Sequence, residues 1–520
     1  MSKKVYFVSN VIIFLIFVIF YLIPGIDQGG WISSLVKNVP LAYLICITAI
    51  GQFCLAFILF EYKKLILKYL NRYEFILKKR WFYIVLTIIF ALFFFSLGVK
   101  RYYNLQTGLF DFGLEHQVVW NTSQGRWFGA SVEVNNYLAD HVSLLTVIPA
   151  ALYRIIPSPL LLIALQSICV LISAIAIKKI ADRELKKPLL SLAIYLMFIF
   201  YIGVSGLLLD DYHPVVLSLP FLAWGIYLME SERFRKLAIV LLIIGAFGKE
   251  DMAIFVGALG LYYWLVRKRL KTGIPLAIFG FLWGALCVAV IIPFLRGAPS
   301  DTLARYGGLS IIFSSLNLKG IYIIRLLFPV LFVVLLAPNI MWVLIPNLAI
   351  NLVSGYPGQL SAVNQYDIAT SIIIFISLIE FLKRRKAAGK ALYYILALLL
   401  IVNLMLLSGH LSRRYLFTPV TRYSDYTYLH NLMDNIPSNA IIAVTNSVGG
   451  QFGEFQHVQI FDDTIKTYTE EPDYIIIDRV ADFTLTTHRM MDDRLANGYI
   501  IRNQTQSFFI LQRVIMANVL

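Results

Sequence analysis

A chain of 520 residues in which 59 % are hydrophobic, with a mean hydropathy of +0.75, belongs to a polytopic membrane protein. No soluble class accommodates runs such as Val11 to Leu22 or Ala391 to Leu407. The net charge of +15 follows the membrane connections rather than one face or tail, which excludes nucleic acid as the partner. Cys46, Cys54, Cys169 and Cys287 all fall inside apolar runs without metal-ligand spacing, so they imply neither a disulfide framework nor zinc.

The chain opens with Met-Ser-Lys-Lys before an apolar run, 6–23, that ends in Ile-Pro-Gly-Ile-Asp without a small-residue cleavage site. It is read as a retained first helix. Further apolar segments fall near 40–60, 81–99, 142–156, 159–177, 188–208, 214–229, 237–248, 252–266, 273–294, 321–338, 339–354, 368–382 and 391–407. The N-terminus and the basic runs 63–80, 178–187, 233–236, 267–271 and 383–390 hold 26 Lys and Arg, against 7 in the alternate connections 26–39, 100–141, 209–213, 295–320 and 355–367. The positive-inside rule makes the first set cytoplasmic. That parity requires 142–156, short and carrying Pro149, to be interfacial or re-entrant. It also makes 237–248 and 252–266 a hairpin whose turn, Lys249-Glu250-Asp251, reaches only the outer bilayer.

The expected fold class is therefore mainly α, with about 13 crossings, an N-terminus inside and a C-terminus outside the plasma membrane. Beyond Leu407 the composition turns polar, with strand-like runs at 440–444, 458–461, 474–477 and 507–511 and a helix at 426–433. The expected domains are a two-helix preface with a basic loop (1–80), a transmembrane domain (81–408) with an outer loop at 100–141, and a small extracytoplasmic α/β domain (425–520).

The outer loop carries Asp111 and Glu115, four residues apart and so on one face of a helix running from Phe112. Phe112 and Val119 give that helix apolar surface on one flank and Trp120 on the other, and Gly125 offers its stop. A carboxylate pair beside hydrocarbon is costly unless it meets a cation, a metal or a substrate. The same membrane side receives Asp140 and His141, the connection Asp210-Asp211-Tyr212-His213-Pro214, the Lys249-Glu250-Asp251 turn, Arg325, Tyr356 and Gln365-Tyr366-Asp367. Each has a plainer reading: Glu115 as a solvated cap, Asp210-Asp211 as a turn, Lys249-Glu250-Asp251 as a self-neutralising ion pair, the histidines as interfacial. Independent caps, however, have no reason to choose one membrane face.

Carboxylates, imidazoles, a lysine and an arginine under the outer headgroups suit a substrate that is half lipid and half phosphate-sugar. Phosphate is a competent leaving group, so one carboxylate suffices to deprotonate an acceptor hydroxyl while a cation steadies the departing phosphate. Asp111 with Glu115 forms the catalytic candidate pair, Asp111 as base. His141, Asp211, His213, Lys249, Glu250, Asp251, Arg325, Gln365 and Tyr366 are candidates for substrate binding, with Lys249 and Arg325 on the phosphate. Asp140 and Asp210 are the carboxylates that would hold a divalent cation, magnesium or manganese, the one cofactor this set admits.

The motifs Phe110-Asp111-Phe112-Gly113, Val119-Trp120-Asn121-Thr122, Asp140-His141, Asp211-Tyr212-His213-Pro214, Lys249-Glu250-Asp251 and Gln365-Tyr366 resemble a membrane family known as domain of unknown function 2079, across roughly residues 81–510. That family resembles in turn the GT-C glycosyltransferases, integral membrane enzymes using lipid-phosphate sugar donors, whose first outer loop carries an acidic motif. The resemblance implies a GT-C-like transmembrane fold. It departs from the usual pair of carboxylates two residues apart, since Phe112 and Gly113 follow Asp111. The leading expectation is an inverting membrane glycosyltransferase with a polyprenyl-phosphate donor and an extracytoplasmic glycan, lipid or protein acceptor. The alternatives are a transporter or flippase for lipid-linked glycans, which should offer polar groups to both faces, and an assembly or sensory protein, which leaves the Lys249-Glu250-Asp251 turn unexplained.

Overall fold

A computed structural model describes residue 68, residues 72–132, 134–298, 313–337, 339–384, 420–462 and 470–514, and the single positions 306 and 403. The spans expected at 6–23 and 40–60 lie outside the described residues, as does that at 391–407 apart from Asn403. Among the described residues four helices are long and apolar enough to cross a membrane, five if one bent pair is counted. Shorter apolar helices fill the space between them.

The first span is α1 (Arg80–Tyr103). After an outer loop with α2 (Leu114–Ser123) and the short α3 (Val147–Tyr153), the chain re-enters as α4 (Leu160–Leu185). The segment expected to be interfacial, 142–156, is thus a single short helix preceded by a 3-10 turn at Leu144–Thr146. The run 188–208, expected to be one helix, is two: α5 (Pro188–Phe200) and α6 (Ile202–Leu209), bent by 51°. The bend sits at Tyr201, whose backbone is extended and whose hydroxyl donates to the Leu326 carbonyl at 2.7 Å.

The segment 235–266 forms the expected helical hairpin. Following α7 (Ser218–Met229), α8 (Arg235–Ala246) and α9 (Glu250–Leu261) have 12 residues each, with Lys249 extended between them. The long apolar helix from Leu270 to Arg296 begins as α10 (Leu270–Leu286) and packs backbone-close on α9. A Cβ on Gly280 would stand 2.2 Å from the Gly257 nitrogen, so only glycine permits this approach.

Two expected spans are corrected. Residues 321–338 do not form one helix: α11 (Leu316–Leu327) gives way at Pro329 to 3-10 turns, and Leu331 and Phe332 take positive φ of 49° and 55°. Residues 339–354 hold a 3-10 turn and the eight-residue α12 (Ile345–Leu352). Broken backbone at membrane depth must find partners inside the protein. Asn403 donates to the Pro329 carbonyl at 2.9 Å, and Ser377 lies 3.0 and 3.1 Å from the carbonyls of Val334 and Ala337. Ser377 comes from α13 (Ile368–Arg384), the central helix: 83 % of its apolar window is buried within the protein, against 17 % for α1.

Outside the helices lies a five-stranded sheet of order β2-β1-β3-β5-β4, with β1 (Ile441–Val444) parallel to β2 (His457–Ile460) and β3 (Tyr474–Asp478). β5 (Phe508–Arg513) runs antiparallel to β3 and to β4 (Tyr499–Gln504). Side chains alternate between its faces. Ala443, Ile475, Ile477 and Leu511 pack with Met491 of a helix at Leu485–Ala496. Ile442, Val444, Ile476 and Ile510 share a core with Leu429 of the helix Tyr423–Met433 and with Leu105, Leu109, Leu114 and Val118 of the outer loop. The sheet therefore supports the loop that carries Asp111.

The seam is made by glycines. A Cβ on Gly449 would lie 2.2 Å from Leu109 Cβ, and one on Gly113 would lie 2.7 Å from the Gly449 carbonyl oxygen. Gly449→Ala is expected to cost about 1–3 kcal/mol by overpacking and to expose the 105–117 segment to protease. Melting and limited proteolysis that match wild type would contradict this seam.

Candidate active site

The site begins at the last turn of α1. Arg101 is 5 % exposed. Its Nη2 pairs with Asp211 Oδ1 at 2.9 Å and donates to the Gln106 carbonyl at 3.0 Å, while Nη1 donates to the Leu209 carbonyl at 3.1 Å. Asp211 Oδ2 accepts the Gly108 N–H at 3.1 Å. One buried ion pair thus ties the end of α1, the start of the outer loop and the end of α6. From there a wide turn, Leu109–Gly113, lifts Asp111 before α2 begins. Its first N–H, at Leu109, donates to Asn446 Oδ1 from the outer sheet at 2.9 Å.

Asp111 and Glu115 face a cavity of about 440 Å³ whose other walls come from distant parts of the chain. Tyr137, Asp140 and His141 close one side, His213 and Lys249 a second, and Tyr356, Gln365 and Tyr366 a third, with Asn446 on the outer rim. The Asp111 side chain is 58 % accessible and lies 4.0 Å from His213 Nε2. Lys249 Nζ stands 5.6 Å above the Tyr366 ring. Behind His141, Glu250 Oε1 contacts Nδ1 at 3.0 Å and Glu250 Oε2 accepts the Val142 N–H at 3.3 Å; Asp140 Oδ2 is 3.6 Å from Nε2.

The two carboxylates differ in charge state. Desolvation by the surrounding walls, with Asp210 nearby, raises the Asp111 carboxyl to about 6 against the pull of Arg101; its openness to water in the cavity tempers the effect. Burial pushes Glu115 up to about 8 despite the Tyr137 hydroxyl, which donates to Oε1 at 2.6 Å. At neutral pH Glu115 is held protonated and Asp111 ionised. Burial lowers His213 to about 4, so its imidazole is neutral.

A family model described as "Predicted membrane protein (DUF2079)" matches residues 101–507. The chain belongs to the DUF2079 family. No curated protein matches its sequence. The crystal structure of ArnT from Cupriavidus metallidurans bound to undecaprenyl phosphate aligns with a TM-score of 0.50 at 10 % identity, covering 84 % of this chain and 99 % of that one. At that identity the likeness speaks to the fold alone: this DUF2079 protein has an ArnT-like helical architecture.

Of the residues singled out from the sequence, Asp111, Glu115, Asp140, His141, His213, Lys249, Gln365 and Tyr366 line the one cavity. Glu250 stands directly behind it on His141. Four others also do not line it. Asp211 is taken up by Arg101, Asp251 is enclosed on α9, and Asp210 lies beside the wall. Arg325 donates to the Ser361 carbonyl at 3.3 Å instead of reaching the cavity. Three further members were not anticipated as site residues: Arg101, Tyr137 and Asn446. Only Arg101 carried a signal, as a cation at the outer end of an apolar span.

No group of three or more His, Cys, Asp or Glu among the described residues is arranged to hold a metal ion. Asp140 meets His141, and Asp210 is not among the lining residues, so these two do not assemble the expected cation site. The chemistry below is therefore derived from side chains.

Proposed function

We propose that this DUF2079 protein is a membrane glycosyltransferase that moves a sugar from a polyprenyl phosphate to an extracytoplasmic acceptor, with inversion at the anomeric carbon. The observation that carries the reading is the pairing, in one cavity of an ArnT-like fold, of an accessible carboxylate and a lysine. The lipid phosphate held by ArnT belongs to the same chemical class as the donor assigned here.

In this reading Asp111 takes the proton of the acceptor hydroxyl, whose oxygen attacks the anomeric carbon. The bond from that carbon to the phosphate oxygen breaks, and the lipid phosphate leaves with the electron pair. Lys249 Nζ stabilises the charge gathering on the phosphate. Gln365, Tyr366 and the neutral His213 orient the sugar, and the Glu250–His141 contact holds the wall beside them. Glu115 and Asp211 act as positioning groups. Arg325, turned to Ser361, is replaced by Lys249 as the phosphate contact. The test is a headgroup-transfer assay on the reconstituted protein with a panel of polyprenyl-phosphate sugars. Release of lipid phosphate from none of them would end the proposal.

The same reading places the cavity outside the cytoplasm. Cysteines introduced singly at Asp210, Gln365 and His430 should all react with an impermeant maleimide applied to intact cells. A site that labels only after the membrane is opened would reverse the orientation.

Protonated Glu115 has a consequence for stability. Its folded-state value of about 8 lies above the ordinary glutamate value of 4.5, so the folded protein keeps a proton that the unfolded chain has released. That stability is fully present below 4.5 and is lost as pH rises through about 8. Glu115→Gln keeps the bond from Tyr137 and removes the titration. Melting between those limits should therefore be flatter in the variant than in wild type.

A further inference from the structure

On the opposite side of α2 from Glu115 lies a second cavity of about 610 Å³, bounded by Trp120, Ser123, Gln124, Tyr153, Arg154, Pro157 and Glu454. Its size is that of a small-molecule site. The indole of Trp120 is fixed before any ligand arrives: the Arg126 guanidinium lies 4.6 Å from the ring centroid and is itself held by Asn121 Oδ1 at 2.7 Å. Arg126 is not among the residues that line the cavity, whereas Trp120 is.

The polar groups around this ring are only partly used. Glu454 accepts the Tyr153 hydroxyl through Oε1, and its side chain is 46 % exposed, leaving Oε2 to accept from a ligand. Tyr153 is aligned from behind by His116 Nε2 at 2.7 Å. The Arg154 backbone N–H donates to the Ala150 carbonyl, while its guanidinium has no carboxylate or carbonyl partner among the described residues. A fixed aromatic ring, a carboxylate acceptor and a guanidinium donor are what a hydroxylated ring with apolar C–H faces requires. Charge decides between neutral and anionic ligands. Arg154 and Glu454 cancel, so a phosphate would meet repulsion from Glu454 as well as attraction from Arg154. Between the lining residues Arg154 and Pro157 the chain exposes Ile155 and Ile156, at 76 % and 53 %, so an apolar surface adjoins this side of the cavity.

We propose that this second cavity binds a neutral saccharide unit, with Trp120 as the platform and Arg154 and Glu454 as hydroxyl partners. The assignment is independent of the transfer reading, because it rests on side chains that line no part of the Asp111 cavity.

The test is binding of maltotriose and of tri-N-acetylchitotriose to the full-length protein in nanodiscs, followed by saturation-transfer NMR and titration calorimetry. At least one should bind at concentrations up to about 10 mM. Glu454→Gln and Arg154→Gln should each weaken that binding by about tenfold, and Trp120→Ala should abolish it. Trp120→Phe retains a ring and most of the packing, and should keep part of the affinity. Asp111→Asn should leave binding unchanged. Failure of both trisaccharides to bind overturns the proposal. So does binding that survives Glu454→Gln and Trp120→Ala within twofold, or displacement by glucose 1-phosphate more effective than by glucose.

Discussion

Asp111→Asn should lower sugar transfer by about a hundredfold to ten-thousandfold, the range over which a positioned general base acts, while leaving insertion and folding as they are. The side chain is 58 % accessible within the cavity, so an isosteric amide disturbs little packing, and the loss falls on chemistry. The direction with pH is also set. A base must be ionised, and the Asp111 carboxyl stands at about 6. Wild-type transfer should therefore decline as pH falls below that value, and the residual activity of the variant should lose that limb. Equal rates for the two proteins in proteoliposomes, with the same polyprenyl-phosphate sugar, would remove Asp111 as the base.

Arg101→Ala should be the most damaging substitution for stability. Both partners of the Arg101–Asp211 pair are nearly closed to solvent, at 5 % and 6 % of their side chains. Removing the guanidinium leaves a carboxylate buried and unpaired, which costs about 3–5 kcal/mol. It also frees the carbonyls of Leu209 and Gln106. Lysine restores a charge but not the planar fork that serves three acceptors, so Arg101→Lys should fall between wild type and alanine. The double variant Arg101→Met with Asp211→Leu should recover part of the loss, because no charge is left stranded. Thermal melts in detergent rank the four proteins, and an alanine variant as stable as wild type would mean the pair contributes nothing.

What could be read from the sequence is what depends on local periodicity and on charge. α1, α4, α13 and the helix from Leu270 to Arg296 are long apolar runs with charged flanks, and hydropathy finds them directly. The four-residue spacing of Asp111 and Glu115 placed both on the cavity side. The segregation of acidic groups to one membrane face marked out residues that the fold brings into a single cavity. The broken stretch from Phe328 to Leu344 was illegible for a physical reason. Its composition is that of a span, and its interruption rests on Ser377, 33 or more residues away, meeting carbonyls that a helix would have used itself. The helix Leu485–Ala496 and strand β4 carry too little apolar patterning to announce themselves. Asn446 is 337 residues from its partner Leu109, and Tyr137 is one aromatic in a polar loop; neither has a local signature.

The glycine-lined seam between Gly449 and Leu109 also bears on how the molecule is made. The ribosome delivers Leu109 well before the strip that braces it, and at about 5–20 residues per second the interval is of the order of half a minute. During that time the reactive loop has no scaffold, and its apolar residues must be sheltered by chaperones or by lipid. A nascent chain stalled before the sheet is translocated would hold every catalytic side chain of the proposal yet lack the brace that aims Asp111. Full-length translation is thus a prerequisite for an ordered centre, which under the proposed function would keep unfinished copies from spending donor lipid.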